Sequence, residues 1–118
     1  MTPTIVEKDG RLFLVVGTPG GSTIITSVYQ TILNMIDYGM DVQQAINAKK
    51  THSQWLPDQI LYEKGGLDSI EILKLIQMGH LLQEVNALGR INAVEVLPDG
   101  TLLGGSDPRG DDTAAGVR

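Results

Sequence analysis

Cysteine is missing from the 118 residues, which excludes disulfides, thiolate metal sites and a cysteine nucleophile. The absence does not fix a compartment, because a secreted domain of this size need not carry a bridge. Aromatics are scarce: Phe13, Tyr29, Tyr38, Trp55 and Tyr62 are the whole set, so a core must be built from Ile, Leu, Val and Ala. Basic residues are few and scattered, 9 against 14 acidic for a net charge of −5. That balance leaves no electrostatic footprint for nucleic acid or an anionic membrane. No apolar run approaches the roughly 18 residues of a membrane-spanning helix. Met1-Thr2-Pro3-Thr4 leads straight into a strand-like run, without the basic and apolar regions of a signal peptide. Such an abrupt start, already in structure, is compatible with the chain being part of a longer protein.

What is present is ordinary globular composition, 42% hydrophobic and 19% charged, at a length where folding buries about two-thirds of the chain's surface in one domain. Ile5–Lys8 and Arg11–Val16 read as strands joined by Asp9-Gly10, the dipeptide that favours a type I′ hairpin turn. From Ser22 the apolar residues Ile24, Val28, Ile32, Ile36 and Met40 recur every four positions, with Ile25, Tyr29 and Leu33 beside them. This predicts a long helix with a wide apolar stripe, capped by Gly39. Asp41 and Gln44 form a capping box for a short helix that buries Val42, Ala45 and Ile46 and ends near Lys49. Thr51–Pro57 reads as irregular and Gln59–Glu63 as a short strand. A third helix is expected over Ser69–Met78, with Asp68 and Glu71 as its capping box, Ile72, Leu73 and Ile76 inward, and Gly79 closing it. His80–Val85, Ile91–Leu97 and Thr101–Gly104 complete the strands, with a hairpin turn at Asp99-Gly100. The order β-β-α-α-β-α-β-β-β predicts a single α/β (α+β) layered domain over residues 1–105 with a mostly antiparallel sheet. Residues 106–118 form a polar, Gly/Asp-rich C-terminal segment, expected as a surface tail or a site loop.

Chemistry concentrates in Gly17-Thr18-Pro19-Gly20-Gly21-Ser22, between a strand and the start of the longest helix. Glycines there let the backbone turn sharply and bring N–H groups, reinforced by the helix dipole, close to a negative group. The segment is either an anion- or oxyanion-binding loop or a tight turn without a ligand; it matches no nucleotide-binding fingerprint. Ser22, Ser27, Ser53, Ser69 and Ser106 have no nucleophile-elbow context, and His52 and His80 lack a triad partner and read as structural. Glu63, Asp68 and Glu71 make no metal-like cluster with them, so no metal or cofactor is expected. Trp55 either lines a site or caps the core under a loop, and the core role is the one expected. Arg109, after Asp107-Pro108, is a candidate for an internal ion pair with a carboxylate, or else a solvated arginine.

Several segments taken together, Met1–Val6, Gly17–Ser22, Asn34–Met40, Ala45–Ala48, His52 with Gln54–Pro57, and Ser106–Arg109, resemble in order and spacing the C-terminal portion of the γ-glutamyltranspeptidase (γ-glutamyltransferase, glutathione hydrolase) small subunit. The resemblance spans nearly the whole chain. It implies part of an N-terminal-nucleophile hydrolase, an αββα sandwich in which an exposed catalytic threonine attacks the γ-glutamyl amide of glutathione or related compounds. The acyl group then passes to water or an amine. It also implies that the backbone N–H groups of Gly20 and Gly21 form the oxyanion hole. The family's nucleophile lies upstream of the matching segment, so no residue here takes that role and this chain alone is expected to be inactive. The implied partners are the remainder of the small subunit and a large subunit, with a γ-glutamyl substrate bound only by the complete enzyme; the implied location is periplasmic or extracellular. Two departures stand out: Thr18 replaces the family's usual serine, and Lys49-Lys50 stands where it tends to read Pro-Arg, so that Lys50 keeps the charge but loses the guanidinium fork. The alternative is a non-catalytic binding or assembly module that pairs with a nucleophile-bearing chain or self-associates through open strand edges.

Overall fold

The computed structural model describes residues 3–116; Met1 and Thr2, in the first of the resembling segments, lie outside them. The chain runs β1 (Thr4–Lys8), β2 (Arg11–Gly17), α1 (Thr23–Ile36), α2 (Val42–Asn47), β3 (Thr51–His52), β4 (Ile60–Glu63), α3 (Ser69–Gln77), β5 (Leu82–Val85), β6 (Asn92–Val96) and β7 (Leu102–Ser106). Four antiparallel strands form one sheet in the order β1-β2-β6-β7. A smaller sheet has the order β3-β4-β5, with β5 parallel to β4. The mostly antiparallel α/β expectation describes this arrangement.

Local chemistry sets the element ends. Asp9 and Gly10 both take positive φ, 52° and 73°, and Lys8 pairs with Arg11 across them, the two-residue primed turn that matches strand twist. Asp99-Gly100 belongs instead to a three-residue loop closed by the Leu97–Thr101 bond, with Gly100 left-handed at φ 85°. Both capping boxes form: the side chains of Asp41 and Asp68 accept from the N–H groups of Gln44 and Glu71, whose own side chains reach back. Helix α1 stops at Ile36, and Met40 N–H returns to the Asn34 carbonyl at 3.1 Å across left-handed Gly39, as a glycine closure requires.

Helices α1 and α2 cover one face of the four-stranded sheet. Leu14 and Val16 of β2, Ala93 of β6 and Ala45 and Ile46 of α2 meet there, all nearly inaccessible. Pleating sends Leu14 and Val16 inward and turns Val15 to the other face, which also carries Ile5, Val94 and Leu102; Phe13, at the bulge opposite Val6 and Glu7, packs against the core instead. Of these, Ile5 and Leu102 are 67% and 65% exposed.

Several burial expectations are corrected. On α1 the buried positions are Ser27, Val28, Thr31 and Met35, while Ile25, Tyr29 and Ile36 face outward. The helix is apolar on more than one side, and only one side has a layer against it. Helix α3 buries no residue fully; Leu73 and Ile76, expected inward, are exposed, because only β5 lies close beneath it. Trp55, expected in the core, is 80% exposed. Its φ of 75° turns the side chain out of a loop tied by the Gln54 amide to the Leu56 carbonyl at 2.8 Å. Thr51–His52, expected as irregular, pairs with β4, and β7 continues through Ser106, one residue into the expected C-terminal segment.

The two faces of the larger sheet generate a test. Leu14→Ala should cost about 2–5 kcal/mol by transfer and cavity terms, whereas Leu102→Ala in the isolated chain should stay within about 0.5 kcal/mol. Urea denaturation midpoints of the two variants compare them directly.

Candidate functional site

Strand β2 ends at buried Gly17, and the next residue, Thr18, is fully buried. Beyond Pro19 the backbone reverses at Gly20 (φ 141°) and Gly21 (φ 57°) and enters α1. A Cβ on Gly20 would sit 2.6 Å from Thr23 Oγ1, so this turn requires glycine there in both conformation and space. The carbonyls of both glycines are used: Thr23 N–H donates to Gly20 at 3.1 Å, Ile24 N–H donates to Gly21 at 3.3 Å, and Thr23 Oγ1 donates to Gly20 at 2.9 Å. Their N–H groups make no hydrogen bond among the described residues. Ser22, at the N-cap, makes no side-chain cap bond, and the first turn of α1 has no acidic residue. This end of the 14-residue helix α1 therefore combines two unspent donors with the positive end of the helix dipole.

The loop rests on a second loop, residues 86–91. Arg90 N–H donates to Thr18 Oγ1 at 2.6 Å, and the hydroxyl donates in turn to the Pro19 carbonyl at 2.6 Å. Gly89 lies directly beneath: its Cα is 3.7 Å from where a Gly20 Cβ would stand. A Cβ on Gly89 itself would meet Ser27 Oγ at 2.8 Å and Thr18 Oγ1 at 3.1 Å. The sequence showed the glycines of the first loop as special; the use of Thr18 and Gly89 as its floor was not readable from either segment alone.

Below both loops lies a buried ionic network. Arg109 donates through Nε and Nη2 to the two oxygens of Glu63 at 2.5 and 2.6 Å and through Nη1 to Asp107 at 3.0 Å. Its side chain is 8% exposed and those of both carboxylates are inaccessible. Glu63 further accepts from the N–H groups of Lys50 and Leu88, and Asp107 from those of Ile91 and Arg109. Burial alone would raise the Glu63 carboxyl, but the Arg109 hydrogen bonds and the two backbone donors outweigh it and hold the group below its ordinary value. Asp107 and Arg109 thus stand inside the structure, not on a tail. Glu63 is the partner of Arg109; the sequence signals it only as a carboxylate ending the apolar run Ile60-Leu61-Tyr62. Lys50 is buried as well. Its Nζ donates to the carbonyls of Ile46 and Ala48 at 2.9 and 3.3 Å, the same two that Arg109 reaches. Burial and the neighbouring Arg109 lower its pKa from 10.5 to about 8, with Asp107 and Glu63 opposing.

Among the other residues singled out, His52 is buried, with Nδ1 2.8 Å from Thr26 Oγ1 and Nε2 3.0 Å from Gln54 Oε1; the tautomer in which Nε2 donates to Gln54 satisfies both. His80 is exposed. No group of three or more metal-binding side chains occurs among the described residues, and no helix there is long and apolar enough to cross a membrane.

Two outcomes follow from the network. Arg109→Met leaves Glu63 and Asp107 buried without their fork and should cost about 3–5 kcal/mol in chemical denaturation. Because the folded pKa of Lys50 is about 8 against 10.5, the unfolded chain binds more protons between those values. Stability should rise as pH climbs through that window, as the cost of the buried ammonium is relieved. Denaturation series at pH 7.5 to 10.5 should lose this slope in Lys50→Met.

The geometry can be set beside known proteins. The family model described as Gamma-glutamyltranspeptidase matches residues 1–117. The glutathione hydrolase proenzyme of Escherichia coli K12 is 50% identical over 118 residues, covering 98% of this chain and 20% of the relative. A solved variant of the Helicobacter pylori gamma-glutamyltranspeptidase superposes with a TM-score of 0.89 at 45% identity, covering 93% of this chain and 61% of that one. The Pseudomonas nitroreducens gamma-glutamyltranspeptidase complexed with L-DON gives 0.90 at 37% identity, over 100% and 62%. This chain therefore spans about one-fifth of the length of the curated relative and about three-fifths of the solved chains. Its fold is part of the α/β sandwich of the N-terminal-nucleophile hydrolases, and the chain belongs to the gamma-glutamyltranspeptidase family.

Proposed function

We propose that this chain is the C-terminal portion of the small subunit of a γ-glutamyltranspeptidase that cleaves γ-glutamyl amides such as glutathione and passes the acyl group to water or an amine. The observation that carries this reading is the pair of unspent N–H groups at Gly20 and Gly21, held at the start of α1 in a chain of this family. When a nucleophile attacks the γ-carbonyl, charge gathers on its oxygen. Fixed backbone donors are worth most there, because they need no reorganisation as the charge develops. In this reading Gly20 and Gly21 supply the oxyanion hole, while Arg109, Asp107 and Glu63 hold the floor rigid beneath them. The nucleophilic threonine and the donor pocket come from the remainder of the small subunit and from a large subunit, in a periplasmic or extracellular enzyme.

A second reading, an assembly module that acts without catalysis, draws on the apolar face of the larger sheet, where Ile5 and Leu102 are exposed. An uncovered sheet face of this kind favours association. Light scattering on the isolated chain should show concentration-dependent oligomers; a monomer at every concentration counts against this reading.

In the full-length enzyme, Gly20→Ala keeps the N–H, but its Cβ would meet Thr23 Oγ1 at 2.6 Å and displace the donor, so kcat should fall by up to about 10²-fold with KM little changed. The isolated 118-residue chain should release no product from a γ-glutamyl anilide. An unchanged kcat in Gly20→Ala sinks the oxyanion role; turnover that copurifies with the isolated chain sinks its dependence on partners.

A further inference from the structure

Arg90 ties the loop under Gly20 to the C-terminal segment. Its main-chain N–H holds Thr18 Oγ1 at 2.6 Å, while its guanidinium forks onto Asp112, Nε to Oδ2 at 2.6 Å and Nη2 to Oδ1 at 2.8 Å. Nη2 also bonds Asp111. Gly110 packs against the same guanidinium: a Cβ there would fall 2.5 Å from Arg90 Cζ and 2.8 Å from its Cδ. Asn92 Nδ2 reaches Asp112 at 3.5 Å. The fork leaves the Arg90 side chain 38% exposed and that of Asp112 only 25%. Asp112 is held below its ordinary value by the Arg90 hydrogen bonds, so the pair stays ionised across the neutral range.

We propose that Arg90 is a positioning residue for the oxyanion loop. Clamped by Asp112 and Asp111 on the outside, it fixes the backbone of Gly89 and Arg90, and through the Thr18 hydroxyl it sets the placement of Gly20 and Gly21. In this reading the clamp acts through the loop and not on the substrate itself. Leu88 and Ile91, on either side, are anchored to the buried carboxylates Glu63 and Asp107. The Gly89-Arg90 step between them has the Thr18 bond and the guanidinium fork as its fasteners. A fork onto a carboxylate defines direction as well as distance, which a lysine cannot reproduce. Small displacements of preorganised donors act on the transition state more than on the ground state. The clamp should therefore appear in kcat and not in KM.

This inference rests on the oxyanion reading of Gly20 and Gly21, and the experiment separates the two. In the full-length enzyme, with competent sites counted by a covalent inactivator, Arg90→Gln and Asp112→Asn should each lower kcat per site about 3- to 10-fold with KM within about twofold. The double variant should be no worse than either single one, because both remove one clamp. Arg90→Lys should recover only part of the loss. Added salt should lower the parent's kcat towards that of Asp112→Asn while leaving the variant flat, since this pair lies at the surface. Unchanged kcat per site in both single variants overturns the clamp, as do losses that multiply in the double variant or that appear only in the number of competent sites. If Gly20→Ala is silent, the oxyanion reading itself has failed. If Gly20→Ala is impaired while Arg90→Gln is not, the clamp alone has failed.

Discussion

Two carboxylates without access to water, Glu63 and Asp107, decide where much of this chain must sit. A buried charge left unpaired costs several kcal/mol, so each collects every donor it can. Glu63 lies at the end of β4 and Asp107 just beyond β7, yet both bind Arg109. Between them they take the amides of Lys50, Leu88 and Ile91. Segments far apart in sequence are brought together by that demand, and the irregular stretch between β5 and β6 is given a fixed course without any ladder of its own. The glycine loop after β2 then rests on a floor held by these charges together with the buried side chains of Leu88 and Ile91.

Lys50 belongs to the same network. Its ammonium adds a second cation to a site already served by Arg109, and the two share the carbonyls of Ile46 and Ala48. Two cations and two carboxylates leave the cluster neutral, but the short, point-like lysine makes no ion pair with either carboxylate among the described residues. The fork contacts all belong to Arg109.

What could be read in the sequence was local. The Asp9-Gly10 turn, both capping boxes and the glycines after β2 declare themselves through neighbours a few residues away, and each lies where that chemistry put it. What could not be read was long-range or one-sided. Arg109 and Glu63 are 46 positions apart, and nothing near either names the other. The apolar stripes of α1 and α3 are real, but a pattern says only that a face wants covering, not which layer covers it. Leu73 and Ile76 of α3 and Ile5 and Leu102 of the larger sheet are apolar and exposed, in a chain that spans about a fifth of its curated relative. Trp55 is a related case: a large aromatic suggests a core position, yet this residue takes a positive φ and is exposed.

Two backbones meet without side chains where Gly89 passes under Gly20. A methyl group on the first would collide with Ser27 and Thr18, and one on the second with Thr23. Neither position can therefore serve as a dial on which mutation tunes the shape of the site. Variation in what such a site accepts has to enter from the residues that frame this contact, while the contact itself stays chemically blank.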